Sequence, residues 1–336
     1  MDLPPQHTSY SANSTGERIR KSPRWDNNEG VASTVGTIMA LLVFIAFMGI
    51  FTNQFVPVWM SDNESAHMST AIEQFIRLKS SVDISISNYP NSLVAPSPIY
   101  VPVTLSSAGI PIFAASTAGI LSLVPNMITS HTNFNLTYVW TTDGVRPYTI
   151  DERNDGHTGG YLEMYAPNRY YVEQKIIYEA GAVILNQTDG EFVLAGPQFS
   201  IRNAGLVGSP SYVVKLTQVS IEGTNKTIGG TGSKGVTAEL QFANTVPYQN
   251  NFTNDSDDIS ITITSMHGIA WKNYFNSTME TEGLVYDTDY HIASVYHTVS
   301  NKDYNYYSVT ITIHHVKIFD HTRAQVTLSI GELGMT

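Results

Sequence analysis

The side chains that come nearest to a metal site are three histidines close to the C-terminal end of the sequence. His314, His315 and His321 lie near one another in the chain, and imidazole is a common zinc ligand. Neighbouring residues of a β-strand point to opposite faces, so two adjacent strand histidines do not converge on one ion unless a bulge turns them. The pattern therefore favours an ordinary packed or solvated role for these three side chains.

A second group has the oxygen chemistry that hard cations prefer. Asp255, Asp257 and Asp258 follow one another at the spacing of a short acidic turn. The glycine and the distal glutamate of an EF-hand calcium loop are missing. A solvated acidic turn is the favoured interpretation, and a calcium-like site is the alternative.

Common catalytic signatures are absent from the sequence. No HExxH, GxSxG or GxxxxGK[ST] motif occurs, and the chain has no cysteine. The missing cysteines exclude disulfides, thiol nucleophiles and cysteine-ligated zinc. The sequence therefore predicts a protein that is not an enzyme, with no catalytic residue, no metal ligand and no cofactor.

The chain is organised around an uncharged stretch from Gly30 to Met60. Its most apolar portion, Ala32 to Phe55, would extend about 36 Å as a helix, and the hydrocarbon core of a bilayer is about 30 Å thick. A buried helix of a soluble domain seldom stays uncharged over such a length. A cleaved secretory signal has a shorter apolar region, of about 7–15 residues, followed by small residues. Residues 31–60 are therefore interpreted as a transmembrane helix.

Charge on the two sides of this stretch predicts its orientation. Residues 1–30 form a polar leader, expected to be disordered, with four basic side chains between Arg18 and Arg24. The nearest basic residues on the other side are Arg77 and Lys79. Because basic residues close to a span stay in the cytoplasm, we expect a single-pass protein of the cell membrane with a cytoplasmic N-terminus and an extracellular C-terminal domain.

Charge also limits the partners. The net charge is −11, and residues 62–336 carry it with 14 basic and 25 acidic side chains. Nucleic acid is not expected as a partner, because phosphate binding requires a basic surface. Membrane lipid is the partner that the apolar stretch predicts.

An amphipathic helical extension is predicted over residues 61–88. Apolar side chains recur there at three- and four-residue spacing, at Met68, Ile72, Phe75 and Ile76. This stripe is expected to pack against the rest of the protein, with Glu64 and other charged residues on the remaining faces. Pro57 is expected to kink the junction with the apolar stretch, because proline lacks a backbone donor.

Residues 89–336 predict an extracellular domain rich in β-structure. Val, Ile and Thr occur in short runs that proline and glycine interrupt. Strands are expected at residues 99–105, 120–124, 134–141, 170–178, 182–186, 191–195, 212–221, 236–242, 259–263, 290–298, 306–318 and 324–330. The apolar phase shifts near Thr217 and again at His314, which predicts a bulge at each. Residues 143–160 and 223–235 have the composition of loops.

One helix is expected to interrupt these strands. An apolar stripe that includes Trp271 and Phe275 spans His267–Thr281, and Gly283 suits a C-terminal cap. The predicted fold is a membrane-anchored α+β protein. A long N-terminal helix, hydrophobic and then amphipathic, precedes a mainly antiparallel, β-sandwich-like ectodomain of two packed sheets with one inserted helix.

Sequons of the form N-x-[ST] mark candidate glycosylation sites. Beyond the apolar stretch they occur at Asn63, Asn135, Asn186, Asn225, Asn251, Asn254 and Asn276, and one occurs before it at Asn13. Their number exceeds the chance expectation only modestly. A glycoprotein and a chain that is merely rich in Asn and Thr both remain open.

Several blocks of the sequence resemble archaeal type IV pilin-like surface proteins. GVASTVGTIMALL, which begins at Gly30, is similar to their N-terminal segment, in which a Gly-Val pair after a charged leader opens an apolar helix. Further similar blocks are AHMSTAIEQFIRLKSSVD, PVTLSSAGIPIFAASTAGILSLVP, NRYYVEQKIIYEAGAVILNQTDG and AWKNYFNSTMETEGL. The resemblance covers most of residues 30–285.

This resemblance implies processing by a prepilin peptidase, a membrane aspartyl peptidase that cuts after the glycine. Cleavage would fall after Gly30 and leave Val31 as the new N-terminus. The family usually has Lys or Arg before the glycine, whereas this chain has Glu29 and a long leader of 30 residues. The resemblance also implies an apolar helix that packs against other pilin-like subunits.

Two functions follow as expectations. The first is a pilin-like structural subunit of a type IV pilus or related surface filament, or of its assembly system, with copies of itself or other pilin-like subunits as partners. The alternative is a single-pass anchored envelope or adhesion protein that keeps its leader, binds the S-layer or a surface glycan, and does not polymerise.

Overall fold

The computed structural model describes residues 28–89, 96–125, 137–142, 145–151, 159–206, 209–249, 258–298 and 305–332. The chain divides into two units, residues 1–52 and residues 53–336. The predicted leader of residues 1–30 lies outside the described residues except for its last three.

The first unit contains helix α1, Asn28–Ile50. Its large apolar side chains are exposed, namely Val35, Ile38, Met39, Leu41, Leu42, Val43, Phe44, Ile45, Phe47 and Ile50. The helical segment that starts at Ala32 is long and apolar enough to cross a membrane, and none of its most apolar window is buried. A π-helical turn, Phe51–Phe55, follows α1 and ends two residues before Pro57.

The second unit begins with helix α2, Val56–Asn88. One face of α2 is buried at three- and four-residue spacing, through Met68, Ala71, Phe75, Leu78, Val82 and Ile86. Ile72 and Ile76 pack against the same core from its margin. The predicted packing of the amphipathic stripe is therefore confirmed, and the 33-residue helix is part of the β-rich unit.

Sixteen strands are defined among the described residues. They are β1 (Ile99–Thr104), β2 (Gly119–Val124), β3 (Thr137–Thr142), β4 (Val145–Asp151), β5 (Tyr161–Ala166), β6 (Gln174–Glu179), β7 (Ala182–Gln187), β8 (Gly190–Ala195), β9 (Phe199–Asn203), β10 (Tyr212–Gly223), β11 (Lys226–Gly230), β12 (Ser233–Gln249), β13 (Asp258–Ser265), β14 (Tyr290–His297), β15 (Tyr306–Ile313) and β16 (Val316–Glu332). Helix α3, Gly268–Thr281, lies between β13 and β14.

These strands form three sheets, so the expectation of two packed sheets is wrong. The first sheet has the order β1-β12-β16-β10-β9, the second β11-β2-β5-β6-β7-β8, and the third β14-β15-β13-β3-β4. Within the described strands, β10 and β16 pair in parallel and the other neighbours pair antiparallel. The expectation of a mainly antiparallel β-domain is confirmed.

Two hydrophobic cores hold the sheets together. The first core joins α2 to one face of the first and second sheets, with Phe75 and Leu78 fully buried in it. The second core joins the first and second sheets to α3 and the third sheet, around Trp271 and Phe275. Strands β6 and β7 supply residues to both cores, which explains their continuous apolar sequences.

The two predicted bulges are wrong, because the apolar phase shifts at these places have another cause. In β10, Val214 and Leu216 face the second core, whereas Val219 and Ile221 face the first, and the pairing with β16 stays in register there. At His314 the chain leaves the third sheet and enters the first, so the predicted strand 306–318 is two strands. An apolar phase shift in this chain therefore marks a change of core or sheet.

Two segments predicted as loops contain strands. Strand β4 lies within residues 143–160, and β11 lies within residues 223–235. Helix α3 agrees with the prediction, since Ala270, Trp271 and Phe275 are buried. Gly283 follows it with a φ of 80°, the left-handed backbone of a helix C-terminus.

Candidate functional site

The three histidines do not form a metal site. His314 Nδ1 lies 2.9 Å from Asp258 Oδ1, and His315 lies in the turn between β15 and β16 with a φ of 58°. His321 is fully buried in β16, with Nε2 3.1 Å from Gln218 Oε1. Burial, aided by the charge of Arg323, lowers the pKa of His321 to about 3.

A metal-binding cluster of three or more His, Asp or Glu side chains does not occur anywhere in the described residues. Asp255 and Asp257 of the predicted acidic turn lie outside those residues, and Asp258 opens β13. The expectation of no enzyme and no cofactor stays a prediction.

A buried carboxylate of the second unit accepts several hydrogen bonds. Glu64 of α2 is fully buried. Its oxygens accept the backbone N–H groups of Arg169, Tyr170 and Tyr171 at 2.8–3.1 Å, and the hydroxyl of Thr117 at 3.0 Å. The expectation that Glu64 lies on another face than the apolar stripe is wrong, because Glu64 is buried like Met68, and the amide groups of the β5–β6 loop surround its carboxylate.

Glu64 fixes two loops against the beginning of α2. The backbone donors belong to residues 167–173 between β5 and β6, and Thr117 belongs to residues 105–118 between β1 and β2. The neighbouring Asn63 adds a bond from its Nδ2 to the carbonyl of Ala108, at 3.1 Å. The sequence alone gave no signal for this site, since a single glutamate near a helix start has many ordinary roles.

A second carboxylate holds the N-terminus of α3. Glu191 of β8 accepts the backbone N–H groups of Ile269 and Ala270 at 3.0 and 3.2 Å. Its other oxygen lies 2.9 Å from His267 Nδ1. A carboxylate at this position also interacts favourably with the helix dipole.

The pKa values of this pair move in opposite directions. Burial acts to raise the pKa of Glu191, but the hydrogen bond and charge of His267 together with the α3 amides outweigh it, so the pKa is lowered. Burial acts to lower the pKa of His267, but Glu191, with Glu179 and Glu163, raises it. Both shifts favour the charged forms of Glu191 and His267. The resulting ion pair holds α3 against the second sheet.

The sequons differ in how far their amides are engaged. Asn63 donates to Ala108, Asn186 donates to Glu191 at 3.3 Å, and Asn276 donates to Glu280 at 2.8 Å. Asn225 lies exposed in the turn between β10 and β11. Asn13, Asn135, Asn251 and Asn254 lie outside the described residues.

The predicted processing residues lie at the beginning of the first helix. Gly30 and Val31 are the third and fourth residues of α1, which starts at Asn28. The predicted cleavage after Gly30 stays a prediction.

A cleft of about 390 Å³ lies beside the C-terminal end of α2. Its lining combines hydroxyl and amide side chains with the ring of Phe199 and the carboxylate of Asp320. Lys215 Nζ lies 3.1 Å from Asp320 Oδ2, so an ion pair crosses one wall. Ile86 and Leu216 add apolar surface, so the lining mixes polar and apolar groups.

The fold and these sites define a β-rich domain preceded by an apolar helix whose side chains are exposed. The chain belongs to a family of unknown function, DUF7289, whose model matches residues 137–318, more than half of the chain. This range begins after α2, so it covers β3 to the start of β16. No curated protein matches the chain, and no solved structure matches it.

Proposed function

We propose that this protein is a pilin-like structural subunit of a surface filament or of its assembly system, held in the cell membrane by α1 before assembly. One observation carries the proposal. The large apolar side chains of α1 are exposed, whereas α2 is buried along one face in the β-domain. An exposed apolar helix needs lipid or other helices to cover it.

The composition of α1 suits both a lipid bilayer and contact with other helices. Its apolar side chains satisfy a bilayer, and its backbone groups are bonded within the helix. A Cβ added at Gly36 or Gly49 would meet nothing within 4 Å in this chain, so both glycines leave open surface. Small residues of this kind let helices approach closely, which would allow α1 to exchange lipid for the helices of neighbouring subunits.

The alternative is an anchored envelope or adhesion protein that binds the S-layer or a surface glycan and does not polymerise. The cleft of about 390 Å³ beside α2 favours it, since hydroxyl and amide groups around an aromatic ring suit a carbohydrate. Glu29, in place of the usual basic residue before the glycine, also favours a retained leader.

The two functions differ in what a substitution at Gly30 does. The peptidase cleft requires a residue without a side chain, so Gly30→Leu should leave the leader attached and abolish the filament. Immunoblots of native membranes and of the sheared surface fraction measure both effects. Gly36→Leu is the matched control for processing, because it changes the same residue type within the helix. Unchanged size and surface fraction in Gly30→Leu would support the anchored alternative.

A further inference from the structure

Two loops at the α2 start of the β-domain expose apolar side chains. Residues 105–118 join β1 to β2, and residues 167–173 join β5 to β6. The first loop has no charged residue. We call these two segments the apolar rim.

The first loop of the rim holds an isoleucine in an unusual conformation. Ile110 and Ala114 exchange backbone hydrogen bonds at 2.9 Å, which forces residues 111–113 into a tight turn. Ile112 at its tip has a φ of 74° and is 100 % exposed. A β-branched residue is strained at such a φ, and a polar residue or glycine would occupy this exposed turn at lower cost. Phe113 beside it is also exposed.

The second loop presents a mixed surface of the kind found at membrane interfaces. Tyr170 and Val172 are exposed. Arg169 is exposed and makes no ion pair with the described residues, so its charge can meet an anion. The acidic side chain of this loop, Glu173, accepts a hydrogen bond from the hydroxyl of Tyr165.

The rim is attached near the N-terminal end of the second unit. Both loops are bonded to α2 at Asn63 and Glu64, only eight and nine residues after Phe55. At 1.5 Å per residue this is about 12 Å along a helix. Asp62 is the first charged residue after the stretch, and exposed Trp59 lies just before it. Tryptophan and tyrosine side chains are enriched at the headgroup level of a bilayer.

We propose that the apolar rim, through Ile112, Phe113 and Tyr170, contacts the surface of the lipid bilayer in which α1 is anchored, with Arg169 at the lipid phosphates. The inference rests on the proposed membrane anchoring by α1. Lipid is the occupant because Asn63 and Glu64, which hold the rim, follow Phe55 by about two turns of helix, and because exposed apolar side chains bordered by an arginine match the bilayer interface.

The test uses the full chain reconstituted in phosphatidylcholine bilayers. Because the chain has no cysteine, Ile112→Cys carries a single thiol for a nitroxide label. Val43→Cys in α1 reports on the anchor. Ser200→Cys is the aqueous control, because it is exposed in β9 two residues after Gln198, which bonds Ser87 near the opposite end of α2. Collision rates with oxygen and with a water-soluble nickel complex are measured by electron paramagnetic resonance.

If the rim contacts the bilayer, the label at residue 112 should collide more often with oxygen than with the nickel complex, as should the label at residue 43. The label at residue 200 should collide more often with the nickel complex. A label at residue 112 that behaves like the one at residue 200 would contradict the contact between the rim and the bilayer. It would leave the proposed membrane anchoring by α1 unaffected. Shielding of residue 112 from both reagents would place it against another protein chain and also contradict the contact between the rim and the bilayer. An aqueous signal at residue 43 would instead refute the membrane anchoring of the proposed function.

Discussion

At the scale of single residues, Glu64 is predicted to be the most sensitive polar position of the β-domain. Glu64→Ala leaves the amides of three successive loop residues without their acceptor. Unpaired buried donors cost about 1–3 kcal/mol each, so the free energy of unfolding should fall by about 3 kcal/mol or more. Denaturant unfolding of the full chain in detergent measures this.

Glu73→Ala is the matched control for Glu64, since Glu73 is an exposed glutamate of the same helix. Its effect should stay within about 0.5 kcal/mol. Equal stability of the two variants would mean that the Glu64 carboxylate does not hold the loops.

The Glu191–His267 pair predicts a pH dependence of stability. The lowered pKa of Glu191 contributes stability above its ordinary value of 4.5, and this is lost as the pH falls through the folded value. The raised pKa of His267 contributes below its ordinary value of 6.5 and is lost as the pH rises through the folded value. The contribution of the pair should therefore be largest between pH 4.5 and 6.5.

His267→Gln removes the titrating group and keeps a polar side chain at this position. The stability difference between the wild type and this variant should be greatest between the two ordinary pKa values and shrink as the pH rises through the raised pKa of His267, as thermal unfolding over a pH series would measure. A difference that does not change with pH would mean that His267 is not charged in the folded protein.

At the scale of elements, the packing of α2 on the sheets is the contact most open to a direct test. Phe75 is fully buried in the first core. Phe75→Ala should lower the free energy of unfolding by about 3–5 kcal/mol, through lost burial and the cavity that remains. Ile84→Ala on the exposed face of the same helix is the control, with a small expected change. An unchanged melting temperature for Phe75→Ala would contradict the packing of α2.

Periodicity predicted most of the elements because their apolar faces repeat regularly. The stripe of α2, the stripe of α3 and the alternation in β13 each face one core, and each is where the sequence places it. Periodicity failed where a strand serves two partners. Strand β10 faces one core through Leu216 and the other through Val219, so its pattern resembles a bulge.

The candidate sites were less predictable because they depend on contacts between distant segments. Glu64 meets the amide of Tyr170, 106 positions away in the chain, and nothing local distinguishes it from solvated glutamates such as Glu73. The exposure of Ile112 likewise depends on the turn closed between Ile110 and Ala114. The three histidines are close in sequence, but the chain changes sheets after Ile313. His314 and His315 therefore lie between β15 and β16, whereas His321 lies within β16.

At the scale of the whole molecule, the apolar helix and the β-domain pose one question about function. The family match covers residues 137–318 and therefore lies within the β-domain, whereas the proposed function depends on α1. The proposed filament requires that α1 be released from its leader, and the anchored alternative retains the leader. The N-terminus of the native protein separates these two functions.

The most direct measurement is the intact mass and N-terminal sequence of the protein isolated from native membranes. The proposed function predicts a mature chain that begins at Val31, with the exposed apolar helix as its N-terminal segment. Intact mass has to allow for glycans, so the N-terminal sequence decides the outcome. A native chain that retains Met1, or that begins far from Val31, would contradict the pilin-like proposal and leave the anchored envelope protein.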